Sequence, residues 1–282
     1  MAGDDLDDDY APDELVAASE DEDPVEFIPL DGEEDVFATT DDAKDRPNPV
    51  LPVSGEEAKQ AKKRKRKAKD NERKAKVGSV PGSTSGIFIT RQDQVLKNLS
   101  VVELDDIRIP ASCIVDTRDW KNDRTHETIA DFIRQVTPTL ATRIAQASKN
   151  NGAPTCIILA GNALRVTDLT RSIRPLRGEK GGDVAKLFAR HFKLAEHAEY
   201  LKRTRVGVAI GTPARVGTLL SETDALSLKA LSHVILDVSF IDSKMRSMLD
   251  MPETRQDLFH KFLAHPPLRT RFVEGKTSLV LF

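Results

Sequence analysis

A chain of 282 residues is long enough for one large domain or two small ones, and no run of 18 apolar residues offers a membrane-spanning helix. The net charge of −3 conceals segregation: residues 1–42 hold 18 acids and no Lys or Arg, residues 59–76 hold 11 Lys and Arg against two acids, and residues 77–282 hold 29 basic and 22 acidic side chains. The two cysteines, Cys113 and Cys156, lie in apolar contexts with no CxxC or Cys/His cluster, which excludes a disulfide framework and reads as buried thiols in a reducing compartment.

Residues 1–58 are acidic and short of apolar runs, so burial does not offset chain entropy and disorder is expected. The first residues are aspartates rather than a basic region and an apolar stretch, so they do not read as a secretory leader. One island differs, VEFIPL at Val25–Leu30, followed by DVF; it is either a docking peptide that orders on a partner or a chance cluster. Residues 59–76, KQAKKRKRKAKDNERKAK, form a basic run centred on Lys62, Lys63, Arg64, Lys65, Arg66 and Lys67. Such runs act as nuclear addresses, as nucleic-acid-binding arms, or as both. Few aromatics accompany it, so any RNA contact should be electrostatic and salt-sensitive rather than stacked. Residues 77–86, rich in Gly and Ser, read as a flexible linker, and residues 87–282 as the folded domain.

Two helical stretches open that domain. RQDQVLKNLSVVEL places Val95, Leu96, Leu99 and Val102 at near-helical spacing, and HETIADFIRQVTPTLATRIAQASK continues through Ile129, Phe132, Ile133, Val136, Leu140 and Ile144, with Pro138 kinking or dividing it. From residue 154 the rhythm becomes strand and helix. Buried strands are expected at 155–161, 206–212, 232–237 and 277–282, with helices at 163–173, 182–203, around 215–220, near 241–250 and at 253–264. The alternation implies an α/β fold with a parallel sheet covered on both faces.

Asp237, at the end of SHVILDVSF, stands where a parallel strand delivers an acid to the carboxyl edge of a sheet. Nucleotide hydrolysis there also needs a glycine-rich phosphate loop and usually a second acid. Neither is present. The only Gly-Lys-Thr, Gly275–Thr277, has Thr270 where the first glycine belongs and leads into a strand, and RGEKGGD at 177–183 lacks the Lys-Ser/Thr. Val238 and Phe240 replace the acids after Asp237, so a fold role for Asp237 is preferred to catalysis. The six histidines have no metal-ligand spacing, and Ser239 is not in a G-x-S-x-G elbow. No catalytic residue, metal, cofactor or small-molecule substrate is expected.

VGVAIGTPARVGTLL and LSHVILDVSF resemble, in order and separation, the Thr-Pro-Gly-Arg and Asp-Glu-Ala-Asp segments of the DEAD-box RNA helicases. The phosphate loop is missing, the acidic motif reads Asp-Val-Ser-Phe, GNALRV replaces Pro-Thr-Arg-Glu-Leu-Ala, and no second RecA-like domain follows, so helicase action is not expected. VAKLFARHFKLAEHAEYLKR, GTPARVGTLL and LDVSFIDSKMRSMLDMPETR resemble the Cms-type family associated with the 90S pre-ribosome, the small-subunit processome; those proteins are degenerate and DEAD-box-like, with an acidic then Lys-rich N-terminus. The resemblance implies a single RecA-like domain and a nuclear, nucleolar ribosome-biogenesis role. Pre-ribosomal RNA and processome proteins would be the partners, with no membrane involved. In the helicases the Thr-Pro-Gly-Arg turn meets the RNA backbone; Thr212, Pro213 and Arg215 match it, with Ala214 in place of Gly. Arg165 lies near the other RNA-contacting turn, and Gly181-Gly182 could stand for the helicase Gly doublet. Three readings follow: an RNA-binding assembly factor, a pure protein-interaction scaffold, and, least favoured, a residual nucleotide sensor.

Overall fold

The computed structural model describes residues 84–97, 99–100, 103, 107–146, 148–190 and 192–282. The acidic segment 1–58, the basic run with Lys62–Lys67, and residues 77–83 of the expected linker lie outside the described residues.

Five short strands form one parallel sheet: β1 (Cys156–Leu159), β2 (Asp183–Leu187), β3 (Val206–Gly211), β4 (His233–Leu236) and β5 (Ser278–Leu281), in the spatial order β2-β3-β1-β4-β5. The strands are almost wholly buried, as a sheet covered on both sides requires. Alternate residues feed two cores. Ile157, Leu159, Val234 and Leu236 face one, and Cys156, Ile158 and Ile235 the other. The first core is closed by α1 (Thr84–Leu96), α5 (Leu194–Arg203), α6 (Pro213–Glu222), a π-helical segment (Asp257–Leu263) and α8 (Pro266–Val273). The second is closed by α2 (Ile129–Val136), α3 (Pro138–Ile144) and α4 (Ala163–Ile173). The α/β class and the parallel sheet between helical layers are as the sequence implies.

Local chemistry sets the helix starts. Pro138, Pro213, Pro252 and Pro266 each occupy the first turn of α3, α6, α7 (Pro252–Gln256) and α8, where the missing N–H costs nothing and the fixed φ suits a helix. Pro138 thus divides the 129–144 stretch into two helices. Asn162 caps α4 by accepting the N–H of Arg165 at 2.8 Å.

Four expectations need correction. The helix expected over 182–203 is strand β2, a turn, and helix α5. Val184, Leu187 and Phe188 have helical spacing, yet Ala185 and Leu187 enter one core while Val184 and Phe188 enter the other, which only a strand achieves. The sheet therefore has a fifth strand. Residues 241–250 form turns rather than a helix, because the Asp242 carboxylate accepts the N–H groups of Lys244 and Arg246 and holds the Arg246 guanidinium. Met245 sits at φ 61° there. Helix α8 was not anticipated; its apolar anchors are only Leu268 and Phe272. Residues 84–86, read as linker, are the first turn of α1, whose Phe88 is fully buried 5.5 Å from the Phe259 ring.

Candidate nucleic-acid interface

β1 and β3 are neighbours, but β1 runs through Gly161-Asn162 into α4 on one face and β3 through Thr212 into α6 on the other. Their carboxyl ends diverge, and this is where open α/β sheets hold ligands. Gly211 makes the corner possible: a Cβ there would lie 2.3 Å from the Leu187 carbonyl oxygen. The Thr212 N–H donates to that carbonyl at 3.0 Å, so the turn is tied to the end of β2.

Between β1 and β4 the edge is closed. Asp237 is fully buried and its N–H donates to Leu159 O at 2.9 Å. Arg165 donates from Nε to Asp237 Oδ2 at 2.6 Å and from Nη2 to Oδ1 at 3.3 Å, and the Ser239 hydroxyl donates to Oδ1 at 2.8 Å. Both carboxylate oxygens are engaged. Arg165 also lies 5.6 Å from the Phe240 ring centroid and is 7% exposed. Arg165, expected among the RNA contacts, is thus consumed inside the domain: as the third residue of α4 its side chain bonds the sheet edge at Asp237 rather than facing solvent. Met248 and Met251 cover Gly161 from above.

A second corner is closed beyond β5. Ile114 pairs parallel with Leu279, and Val115 N–H donates to Leu279 O at 2.8 Å. The chain then crosses the carboxyl edge and enters α2, a strand–loop–helix path of the kind that can cradle phosphate. Here residues 115–128 contain no glycine. Trp120 is buried edge-on against Phe132 at 5.5 Å, and Arg124 donates to Leu281 O at 3.0 Å and Thr117 Oγ1 at 2.9 Å. Side chains fill the space that backbone amides would need.

The remaining corner lies between β2 and β3. Thr212 is half-buried and its hydroxyl does not cap α6, while Pro213 is buried at the first helical position. The Arg215 side chain is half-buried and donates from Nη2 to Phe192 O at 2.8 Å. Phe192 packs edge-on to Phe188 at 5.6 Å and on the His197 ring at 5.3 Å. The loop between β2 and α5, which carries exposed Arg190 and Lys193, is thereby tied to Arg215 through Phe192. Neither was anticipated at this site, since a continuous helix would have turned both to a solvent face. The signal was the two-sided apolar alternation of 184–188 that ends at Ala189-Arg190. The structure brings Thr212, Pro213 and Arg215 together. Gly181-Gly182 lies at the opposite, amino edge, where a Cβ on Gly182 would meet Gly207 N at 2.5 Å, so the doublet serves strand approach and does not join the site.

Burial and the nearby Arg215 charge hold His197 down to about 4. The ring is neutral at physiological pH, so it adds no charge beside Arg215, on which the Glu196 carboxylate also acts.

Protein CMS1 of Chaetomium thermophilum is 40% identical over 183 residues, covering 65% of this chain and 71% of that protein. Human Protein CMSS1 is 27% identical over 210 residues, covering 74% and 72%. Among solved structures, a DEAD box protein from Methanococcus jannaschii has a TM-score of 0.37 at 18% identity; the match covers 57% of this chain and 37% of that one. The family described as CMS1, U3-containing 90S pre-ribosomal complex subunit, matches residues 39–282, and the chain belongs to it.

Proposed function

We propose that this chain is a non-catalytic RNA-binding component of the 90S pre-ribosome, working in the nucleus and nucleolus. The observation that carries the reading is the contrast at one sheet edge. The acid position is sealed by Arg165, while Arg215 stands in the first turn of α6, where the Ala214 and Arg215 N–H groups have no intrahelical partner, and the β2–α5 loop bonded to it carries exposed Arg190 and Lys193. Such an end attracts phosphate, and flanking cations strengthen it without reading sequence. The basic run Lys62–Lys67 would add a second, tethered contact to pre-ribosomal RNA. No nucleotide chemistry is proposed, because the groups that would perform it are used in packing.

The test is RNA binding by the full chain titrated across salt. Replacing Arg190, Lys193 and Arg215 with Gln should lower the slope of log affinity against log salt by about 2, at roughly 0.7 per lost single-strand contact. Removing residues 62–67 should lower it further. An unchanged slope in both variants would overturn the reading.

A second reading, docking of processome proteins, is favoured by Leu164 and Met245, which are 73% and 46% exposed at the same edge. Leu164→Glu with Met245→Glu would then release protein partners while leaving RNA affinity intact.

A further inference from the structure

α6 carries Arg215 in its first turn at the carboxyl edge, and its last turn lies at the amino edge, beside α8 and the 223–231 loop that leads into β4. Between them runs an open groove of about 640 Å³, within the size range of ligand-binding clefts. Leu220, Leu226 and Leu228 supply its apolar wall. Only Leu268 and Phe272 of α8 are buried, which leaves Thr270 exposed on the groove. The charged lining residues are Lys229, Arg271 and Lys276 against Asp224 and Glu274. Lys276 bonds Glu274 at 2.9 Å, so those two cancel. Burial lowers His265, which therefore adds no charge at neutral pH. Arg271 is half-buried and held in place: its Nε donates to Thr277 Oγ1 at 3.1 Å and its Nη2 to Leu231 O. The N–H groups of Lys276 and Thr277 both donate to Arg271 O, at 2.9 and 3.1 Å, which pins the entry of β5 to α8. Among the described residues no carboxylate bonds Arg271 or the exposed Lys229. The groove is thus a rigid, leucine-walled cleft with two cations left over against Asp224.

We infer that this groove docks a short acidic peptide segment of a protein partner, which sets an apolar side chain against the leucines and a carboxylate on Arg271. The Nη1 group of Arg271 makes no bond, and a carboxylate matches the planar guanidinium. Lys229 offers a second cation from the loop before β4. An RNA strand fits less well. Asp224 and Glu274 would repel successive phosphates, and leucines give bases nothing to stack on. A peptide suits the mixed rim, because it brings N–H donors for Asp224 along with carboxylates for the cations. The inference does not depend on the RNA reading. The groove and Arg215 lie at the two ends of α6, whose 10 residues span about 15 Å, so a protein segment and RNA can be held together on one domain.

The test uses the full chain and a labelled pool of hexapeptides built from Asp, Glu, Leu, Ile and Phe, beside a control pool in which Lys replaces both acids. The acidic pool should bind and the Lys pool should not. Lys229→Glu with Thr270→Glu sets two carboxylates on the groove without touching the bonds of Arg271, and should lower affinity about tenfold, the loss of roughly one charge-assisted hydrogen bond. Asp224→Asn should raise it about threefold. All three positions are exposed, so thermal unfolding that matches wild type shows the variants to be folded. Replacing Arg190, Lys193 and Arg215 with Gln should leave peptide affinity unchanged. Failure of the acidic pool to bind, equal binding of the two pools, or affinity unchanged in Lys229→Glu/Thr270→Glu overturns the inference, whatever the RNA titration shows. Loss of RNA affinity in that variant, with no peptide bound by wild type, would assign the groove to RNA and overturn it as well.

Discussion

Asp237→Ala is expected to lower stability by about 3–5 kcal/mol while leaving the RNA affinity of the full chain unchanged. The carboxylate is fully buried and takes three hydrogen bonds, two from Arg165 and one from Ser239. Its removal strands a guanidinium whose side chain is only 8% exposed, and an uncompensated buried charge is what makes one-sided disruption of such a pair severe. Removing both charges has a different consequence. Arg165→Met with Asp237→Leu should recover most of the loss, because apolar groups of similar volume replace an interaction that has to offset its own desolvation. Chemical denaturation of the two single variants and the double yields the coupling energy directly. A loss below about 1 kcal/mol for Asp237→Ala would show a solvated pair instead. A rise in the wild-type melting temperature with Mg²⁺ and ATP, abolished by Asp237→Ala, would return the residue to nucleotide chemistry and sink the packing role.

That pair also shows where the sequence is legible and where it stops. Four of the strands announce themselves as short apolar runs, three of them ending in Gly or a polar residue, and the carboxyl-edge position of Asp237 follows from its strand. Its partner does not. Arg165 lies 72 residues earlier, and only the sheet order brings the start of α4 beside the end of β4. Strand β2 fails for a different reason. With both faces buried, Val184, Ala185, Leu187 and Phe188 leave no polar alternation, and the period-two signal collapses into one that also fits a helix. The misread strand then hid Arg190 and Lys193, because their place in the loop tied to Arg215 depends on where β2 ends. The closed corner beyond β5 was invisible as well: a single bridge at Ile114 has no hydrophobic pattern of its own, and Trp120 and Arg124 acquire their role only once Phe132 and Phe282 meet edge-on at 4.8 Å.

His197→Phe should raise stability at neutral pH by about 1–2 kcal/mol and flatten its fall in acid. The ring is 1% exposed, and neither of its nitrogens has a hydrogen-bond partner, so two polar atoms are desolvated without return. Burial first, and Arg215 second, hold the folded ring at about 4 against an ordinary 6.5. Below pH 6.5 the unfolded chain therefore takes a proton that the folded chain refuses until about pH 4. The stabilisation present above 6.5 drains away across that window, by about 3 kcal/mol for this one residue. His233, also held at about 4 by burial and by Arg143, adds a slope of the same sign, so His197→Phe should remove part of the acid sensitivity and His197→Phe with His233→Phe a larger part, with His265, lowered by burial, contributing to the remainder. Denaturant midpoints measured from pH 7 to pH 4 give both quantities. A destabilised His197→Phe at pH 7 with an unchanged acid slope would mean that the ring nitrogens are hydrated and the histidine is not buried neutral. His197→Leu separates shape from polarity: the Phe192 ring at 5.3 Å loses a flat neighbour, and the loop bonded to Arg215 through the Phe192 carbonyl should loosen even though the acid slope still falls. Salt-dependent RNA affinity of the Leu variant, compared with that of the Phe variant, then reports how far the packing behind Phe192 sets the position of the basic corner.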